Sequence, residues 1–63
     1  MNKIKALRES KSLTLRELAK KANIAPSYLS ELENDSENKK NPSKEMMEKI
    51  SAALDSTVPK VFY

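Results

Sequence analysis

Between residues 13 and 26 the chain carries a helix start, a helix stop and a second helix start. Thr14-Leu15-Arg16-Glu17 has the form of a capping box. The Thr14 hydroxyl takes the Glu17 backbone N–H, and the Glu17 carboxylate returns to the Thr14 N–H. Leu13 before the cap and Leu18 at the fourth helical position fit a hydrophobic staple. Leu15, Leu18, Ala19 and Ala22 then recur at i, i+3, i+4 and i+7, the spacing of one helix face. Asn23 follows the last of them and is the best residue after Gly for the left-handed backbone of a helix end. Ile24 and Ala25 make a very short connection, and Pro26 suits the first position of a new helix. Leu29 and Leu32 give that helix a narrow apolar side, and it is expected to end near Glu33 or Asn34.

The rest of the chain also predicts helices, with no alternating β-branched runs for strands. Ile4 and Leu7 place a short amphipathic helix in Asn2–Lys11. Asp35 to Asn41 is polar throughout and reads as a loop. Asn41-Pro42-Ser43 closes it, with Ser43 as an N-cap and Glu45 at the positive end of the next helix. Met46, Met47, Ile50, Ala53 and Leu54 form the apolar stripe of that helix, which is expected to run to about Leu54 and to bury both methionines. Thr57 is placed to cap a last short helix, with Val58, Val61 and Phe62 supplying apolar contacts. The expectation is an all-α fold of five helices forming one compact domain over residues 1–63.

Composition narrows the chemistry. The 63 residues include no Cys, His, Gly or Trp. The missing Cys and His remove disulfides, the usual zinc ligands, the usual general base and the best nucleophile. No catalytic residue, metal site, cofactor or small-molecule substrate is therefore expected. No apolar run approaches the roughly 20 residues needed to cross a bilayer, so a cytoplasmic setting without a membrane partner is expected. About 7% Gly is usual, so tight helix ends here must use another residue, such as Asn or Ser. The net charge is +3, and it is uneven: residues 1–32 hold seven basic and three acidic side chains, residues 33–63 five and six. A basic half favours an anionic partner, although an ordinary solvated surface fits the charge equally well.

The segment Thr14 to Glu33 is a helix-turn-helix arrangement. Such a pair can offer its second helix to the DNA major groove while the first lies across the backbone. The reading surface would be the first turn of that helix (Ala25, Pro26, Ser27, Tyr28) and the next turn on the same face (Ser30, Glu31). Leu18, Ala19, Ile24, Leu29 and Leu32 would hold the two helices together, with Ala19 small at their closest approach.

Further matches extend this segment along nearly the whole chain. They are Ile4-Lys5, Leu7-Arg8, Leu15 to Ala25, Ser27-Tyr28-Leu29-Ser30, Leu32-Glu33, Asn41-Pro42-Ser43 and Glu48 to Asp55. In this ordered set the chain resembles the phage Cro/repressor-type (XRE) helix-turn-helix family, and within it the Sin repressor type. The resemblance implies a compact five-helix, lambda-repressor-like DNA-binding domain whose third helix reads DNA. By position it puts Ala25, Pro26, Ser27 and Glu31 at base contacts, and Thr14, Tyr28, Ser30 and Asn34 at backbone contacts. It implies a structural ion pair between Arg8 and Glu33, and a homodimer that commonly forms through the C-terminal end, where Val58, Val61 and Phe62 lie. The tail Val58 to Tyr63 thus either closes the core, forms a dimer surface, or does both.

The chain departs from the family pattern at several places. Ser12 and Asn23 stand where the family usually has Gly. Ala25 stands where a Ser or Thr cap is common, and Pro26 replaces a polar base-reading residue. The 35–41 loop is about two residues longer, and Ser56 replaces an apolar residue. The second helix of the pair carries no Lys or Arg, so phosphate neutralisation must come from around it: Arg16, Lys20 and Lys21 before it, Lys39, Lys40 and Lys44 after it. Glu31 suits a cytosine amine, and the Tyr28 ring or Pro26 a thymine methyl. Two functions remain open. One is a sequence-specific regulator of bacterial or phage origin that works at the nucleoid and represses by occupying a double-stranded operator. The other is a protein-interaction module, such as an antitoxin or anti-repressor, with the same fold.

Overall fold

A computed structural model describes residues 2–35 and 41–63. Five helices follow one another: α1 (Ile4–Ser10), α2 (Leu15–Ala22), α3 (Pro26–Glu33), α4 (Lys44–Ala53) and α5 (Val58–Phe62). No strand occurs among the described residues. One core gathers the apolar face of every helix: Ile4 from α1, Leu18, Ala19 and Ala22 from α2, Leu29 and Leu32 from α3, Ile50 and Ala53 from α4 with Leu54 after it, and Val61 from α5. No described helix is long and apolar enough to cross a membrane.

The helix starts obey local chemistry. At α2 the Thr14 Oγ1 accepts from the Glu17 N–H at 3.1 Å, and a Glu17 carboxylate oxygen accepts from the Thr14 N–H at 2.8 Å. The Thr14 backbone N–H, and next its side chain, hold the Glu17 carboxyl below the usual range. The box is therefore intact at neutral pH and fades as pH falls through that lowered value. Ser43 caps α4 through the Met46 N–H at 3.1 Å. Thr57 precedes α5 but its side chain makes no capping bond. Pro59 has no N–H to offer, and the Lys60 N–H bonds the Thr57 carbonyl at 3.1 Å instead.

Helix α1 begins two residues later than expected, and Asn2 explains why. Its Oδ1 accepts from the Ile4 N–H at 3.1 Å, while its Nδ2 donates to the Leu32 carbonyl at 2.9 Å. Asn2 thus starts α1 and gives a second donor to the Leu32 carbonyl at the end of α3, which also accepts from the Asp35 N–H at 3.3 Å. The Lys3 N–H donates to the Val61 carbonyl at 2.8 Å, which ties α1 to α5.

Three helix ends close without glycine. Ser12, Asn23 and Asp55 have φ of 56°, 57° and 53°. After each, the next N–H reaches back over the last turn: Leu13 to Arg8 at 3.1 Å, Ile24 to Ala19 at 3.0 Å, Ser56 to Ser51 at 2.9 Å. These bonds satisfy carbonyls that a helix end leaves open. Asp55 is a third such position, not expected from the sequence. A left-handed conformation costs an ordinary L-residue about 1–2 kcal/mol, and part of that gain is lost because Gly is freer when unfolded. Ser12→Gly is therefore expected to stabilise the domain by about 0.5–1 kcal/mol, raising its melting temperature by about 2–8 °C. Asn23→Gly should gain less, because Asn tolerates this conformation better than Ser. Thermal denaturation followed by circular dichroism checks both.

Two side chains sit differently from expectation on α4. Met46 packs against the core, but Met47 stays half-exposed. Ser51 is buried instead, at 2% exposure, and its Oγ has no hydrogen-bond partner among the described residues. A buried unpaired hydroxyl costs about 1–3 kcal/mol, and Ala is the better helix former. Ser51→Ala is expected to raise the unfolding free energy by about 1 kcal/mol in urea titration. A fall would mean that the hydroxyl is satisfied in solution.

Candidate nucleic-acid interface

Helix α3 is fixed from both sides. Ala25 enters in an extended conformation (φ −70°, ψ 134°) with Pro26 in the first turn and no side-chain cap. The Leu29 N–H takes the Ala25 carbonyl at 3.1 Å. Leu29 and Leu32 are buried, and Ala19 of α2, at 1% exposure, lets the two helices approach closely. With that face committed to the core, Pro26, Ser27 and Glu31 are left exposed, next to an exposed Ala25. At about 1.5 Å per residue, the eight residues of α3 span about 12 Å, comparable to the width of the B-DNA major groove.

The remaining candidates differ in availability. Thr14 and Arg16 are exposed at the start of α2. Thr14 uses its oxygen as an acceptor in the capping box, which leaves its hydroxyl proton to donate. Tyr28 is half-buried and packs against the core, and Ser30 is half-buried. Asn34 is exposed, but its Nδ2 donates to the Ser30 carbonyl at 2.9 Å and lies 3.5 Å from the Ser30 hydroxyl. Asn34 therefore closes the end of α3 with the group a phosphate contact would need. Lys39 and Lys40 lie outside the described residues. Among those described, no group of three or more acidic side chains is gathered so as to hold a metal ion.

Arg8 and Glu33 join α1 to α3. The Arg8 Nε donates to Glu33 Oε2 at 2.7 Å and Nη2 to Oε1 at 3.1 Å, while Nη1 reaches the Leu13 carbonyl at 2.8 Å. Their side chains are 12% and 5% exposed. Three of the five donors of one guanidinium thus lock α1, the α1–α2 turn and α3 together.

The dimer-surface expectation needs correcting at Val61. It is fully buried because α5 folds back on α1 and turns Val61 into the core. Val61 therefore has no surface to offer a second chain. Val58 and Phe62 remain partly exposed, with Phe62 packed against the core. The large exposed hydrophobic residue of this end is Tyr63, at 83%.

Asn2 and Ser51 were missed by sequence reasoning for the roles they play. Asn2 carried a usable signal, since an Asn two residues before an apolar run is a common helix entry. Ser51 continues the series Met47, Ser51, Leu54 at i, i+4 and i+7, but a polar residue in that series reads as outward-facing.

Comparison with known proteins matches residues 4–61 to a helix-turn-helix family. The chain is 46% identical over 56 residues to the HTH-type transcriptional regulator SinR of Bacillus subtilis, covering 89% of this chain and 49% of that protein. It is 42% identical over 52 residues to the immunity repressor protein of Bacillus phage phi105, covering 82% and 34%. It therefore spans about half or less of the length of these relatives. A crystal structure of SinR in complex with DNA superposes with a TM-score of 0.79 at 46% identity, covering 90% of this chain and 87% of that one.

Proposed function

The chain belongs to the helix-turn-helix family, and from that premise we propose that it binds a double-stranded DNA operator and represses transcription by occupying it. In this reading α3 enters the major groove. Ala25, Pro26, Ser27 and Glu31 face base edges, while Thr14, Arg16, Tyr28 and Ser30 meet the backbone; Asn34 is left out because its amide is engaged with Ser30. Lys39 and Lys40, which lie outside the described residues, are assigned further phosphate contacts on their charge alone. A homodimer sets two copies of α3 about one helical turn apart on two half-sites, and bound protein blocks polymerase at the nucleoid in the cytoplasm. The dimer surface is the exposed part of the α5 end, Val58 and Phe62 with Tyr63 added. The supporting observation is the uncovered first turn of α3, on a scaffold that superposes on SinR in its DNA complex.

The experiment is a titration of the chain against random and selected duplexes at several salt concentrations. The selected duplex is expected to bind at least about a thousandfold more tightly than the random one, with affinity falling linearly in log salt. No binding at micromolar protein overturns the regulator reading and favours the protein-interaction module, for which the lack of any Lys or Arg on α3 speaks. Sedimentation over a range of concentrations tests the dimer.

A further inference from the structure

Ala25 and Pro26 are apolar, adjacent and exposed, and neither contributes to the core. Leu29 and Leu32, the other apolar side chains of α3 besides the half-buried Tyr28, are buried. Core packing therefore accounts for Leu29 and Leu32 but not for Ala25 and Pro26, although Pro26 also suits the helix entry. They sit at the tip of α3, where the helix would meet base edges.

In the same turn the side-chain donors are limited to the hydroxyls of exposed Ser27 and half-buried Tyr28. Residues 25–34 contain no Lys or Arg. Ala and Pro side chains offer no hydrogen-bonding group, and Pro26 also lacks a backbone N–H. The Asn34 amide is spent on Ser30 at the opposite end of the helix. Tyr28 lies against the core, so its ring is the poorer apolar contact. A guanine edge displays two acceptors, N7 and O6, and is best met by Arg or Lys, whereas a thymine edge displays a C5 methyl that an apolar side chain can cover.

Resting on the DNA-binding reading above, we propose that the Ala25–Pro26 step reads thymine: the Ala25 Cβ and the Pro26 ring cover thymine C5 methyl groups, and these methyls set base preference at the positions under the tip of α3. The step selects methyl-bearing pairs by apolar contact and gains nothing from guanine.

The test replaces single methyls. A half-site is selected from a random duplex library with the intact chain. Each thymine is then exchanged singly for deoxyuridine, which deletes the methyl and leaves every hydrogen-bonding group in place. Binding is measured by fluorescence anisotropy. Burying one methyl-sized group corresponds to about a fourfold change in affinity. A loss of about fourfold is expected at one or two thymines and no change at the others. Ala25→Gly, at a cap position that accepts Gly at little cost, and Pro26→Ala are each expected to remove the deoxyuridine penalty at one position; circular dichroism confirms that both remain folded. A selected half-site without thymine, no deoxyuridine penalty anywhere, or a penalty unchanged in both variants overturns the proposal while the DNA-binding reading stands. Failure to select any duplex overturns both.

Discussion

Arg8→Ala is expected to lower the unfolding free energy by about 3–5 kcal/mol. The substitution strips the partner from Glu33, which is only 5% exposed, and frees the Leu13 carbonyl that Arg8 also holds. A carboxylate left alone at that depth loses both its charge partner and two hydrogen bonds. Native domains are stable by only about 0.05–0.15 kcal/mol per residue, so for a chain of 63 residues this loss removes most of the margin. Urea denaturation should show a transition shifted far toward low denaturant or no cooperative transition at all. The double variant Arg8→Met/Glu33→Leu separates the two sources of the cost. Replacing a buried pair with apolar residues of similar size is often neutral, so the double variant should recover most of the stability that the single one loses. Equal destabilisation in both would mean that the Arg8–Leu13 bond, not the unpaired charge, dominates.

Glu31→Ala is expected to cut the ratio of operator to random-DNA affinity by about 5–150-fold, the equivalent of about 1–3 kcal/mol for one base contact. Glu31 is exposed on the second turn of α3, one turn from Ser27 on the same face. In the proposed reading, a carboxylate there would accept from the exocyclic amine of cytosine and repel phosphate elsewhere. Its removal should lower operator affinity and slightly raise affinity for unrelated DNA. Arg16→Ala is the contrasting case. Arg16 is exposed at the start of α2, and its loss should weaken all duplexes alike and reduce the log–log salt slope by about 0.9. Binding curves on the selected duplex and on single-base variants of it, at three salt concentrations, distinguish the two patterns. A Glu31→Ala variant with an unchanged preference profile would remove Glu31 from the reading surface.

Local chemistry was legible wherever both partners lie within a few residues. The Thr14–Glu17 box, the Ser43 cap, the left-handed Asn23 and the entry of α3 at Pro26 each involve groups three or four positions apart or a single backbone angle. The i, i+3, i+4 pattern likewise placed Leu18, Ala19, Ala22, Leu29 and Leu32 on inward faces. The Arg8–Glu33 pairing came from family resemblance, since nothing local links positions 25 apart. Asp55 escaped notice because a left-handed residue after a helix is signalled strongly by Gly and Asn and only weakly by Asp.

The sequence by itself determined five helices, their approximate bounds and the inward face of α3, because helix faces and caps are set by periodicity and by short-range hydrogen bonds. Only the tertiary structure decided what each exposed or polar group is free to do. Val61 belongs to the core because α5 folds against α1. Ser51 is buried because of what α4 packs on. The Asn2 amide is committed to the Leu32 carbonyl at the end of α3, 30 positions away. Such roles depend on which groups meet when the helices close, and helices brought together from distant parts of a chain meet at positions that no local pattern encodes.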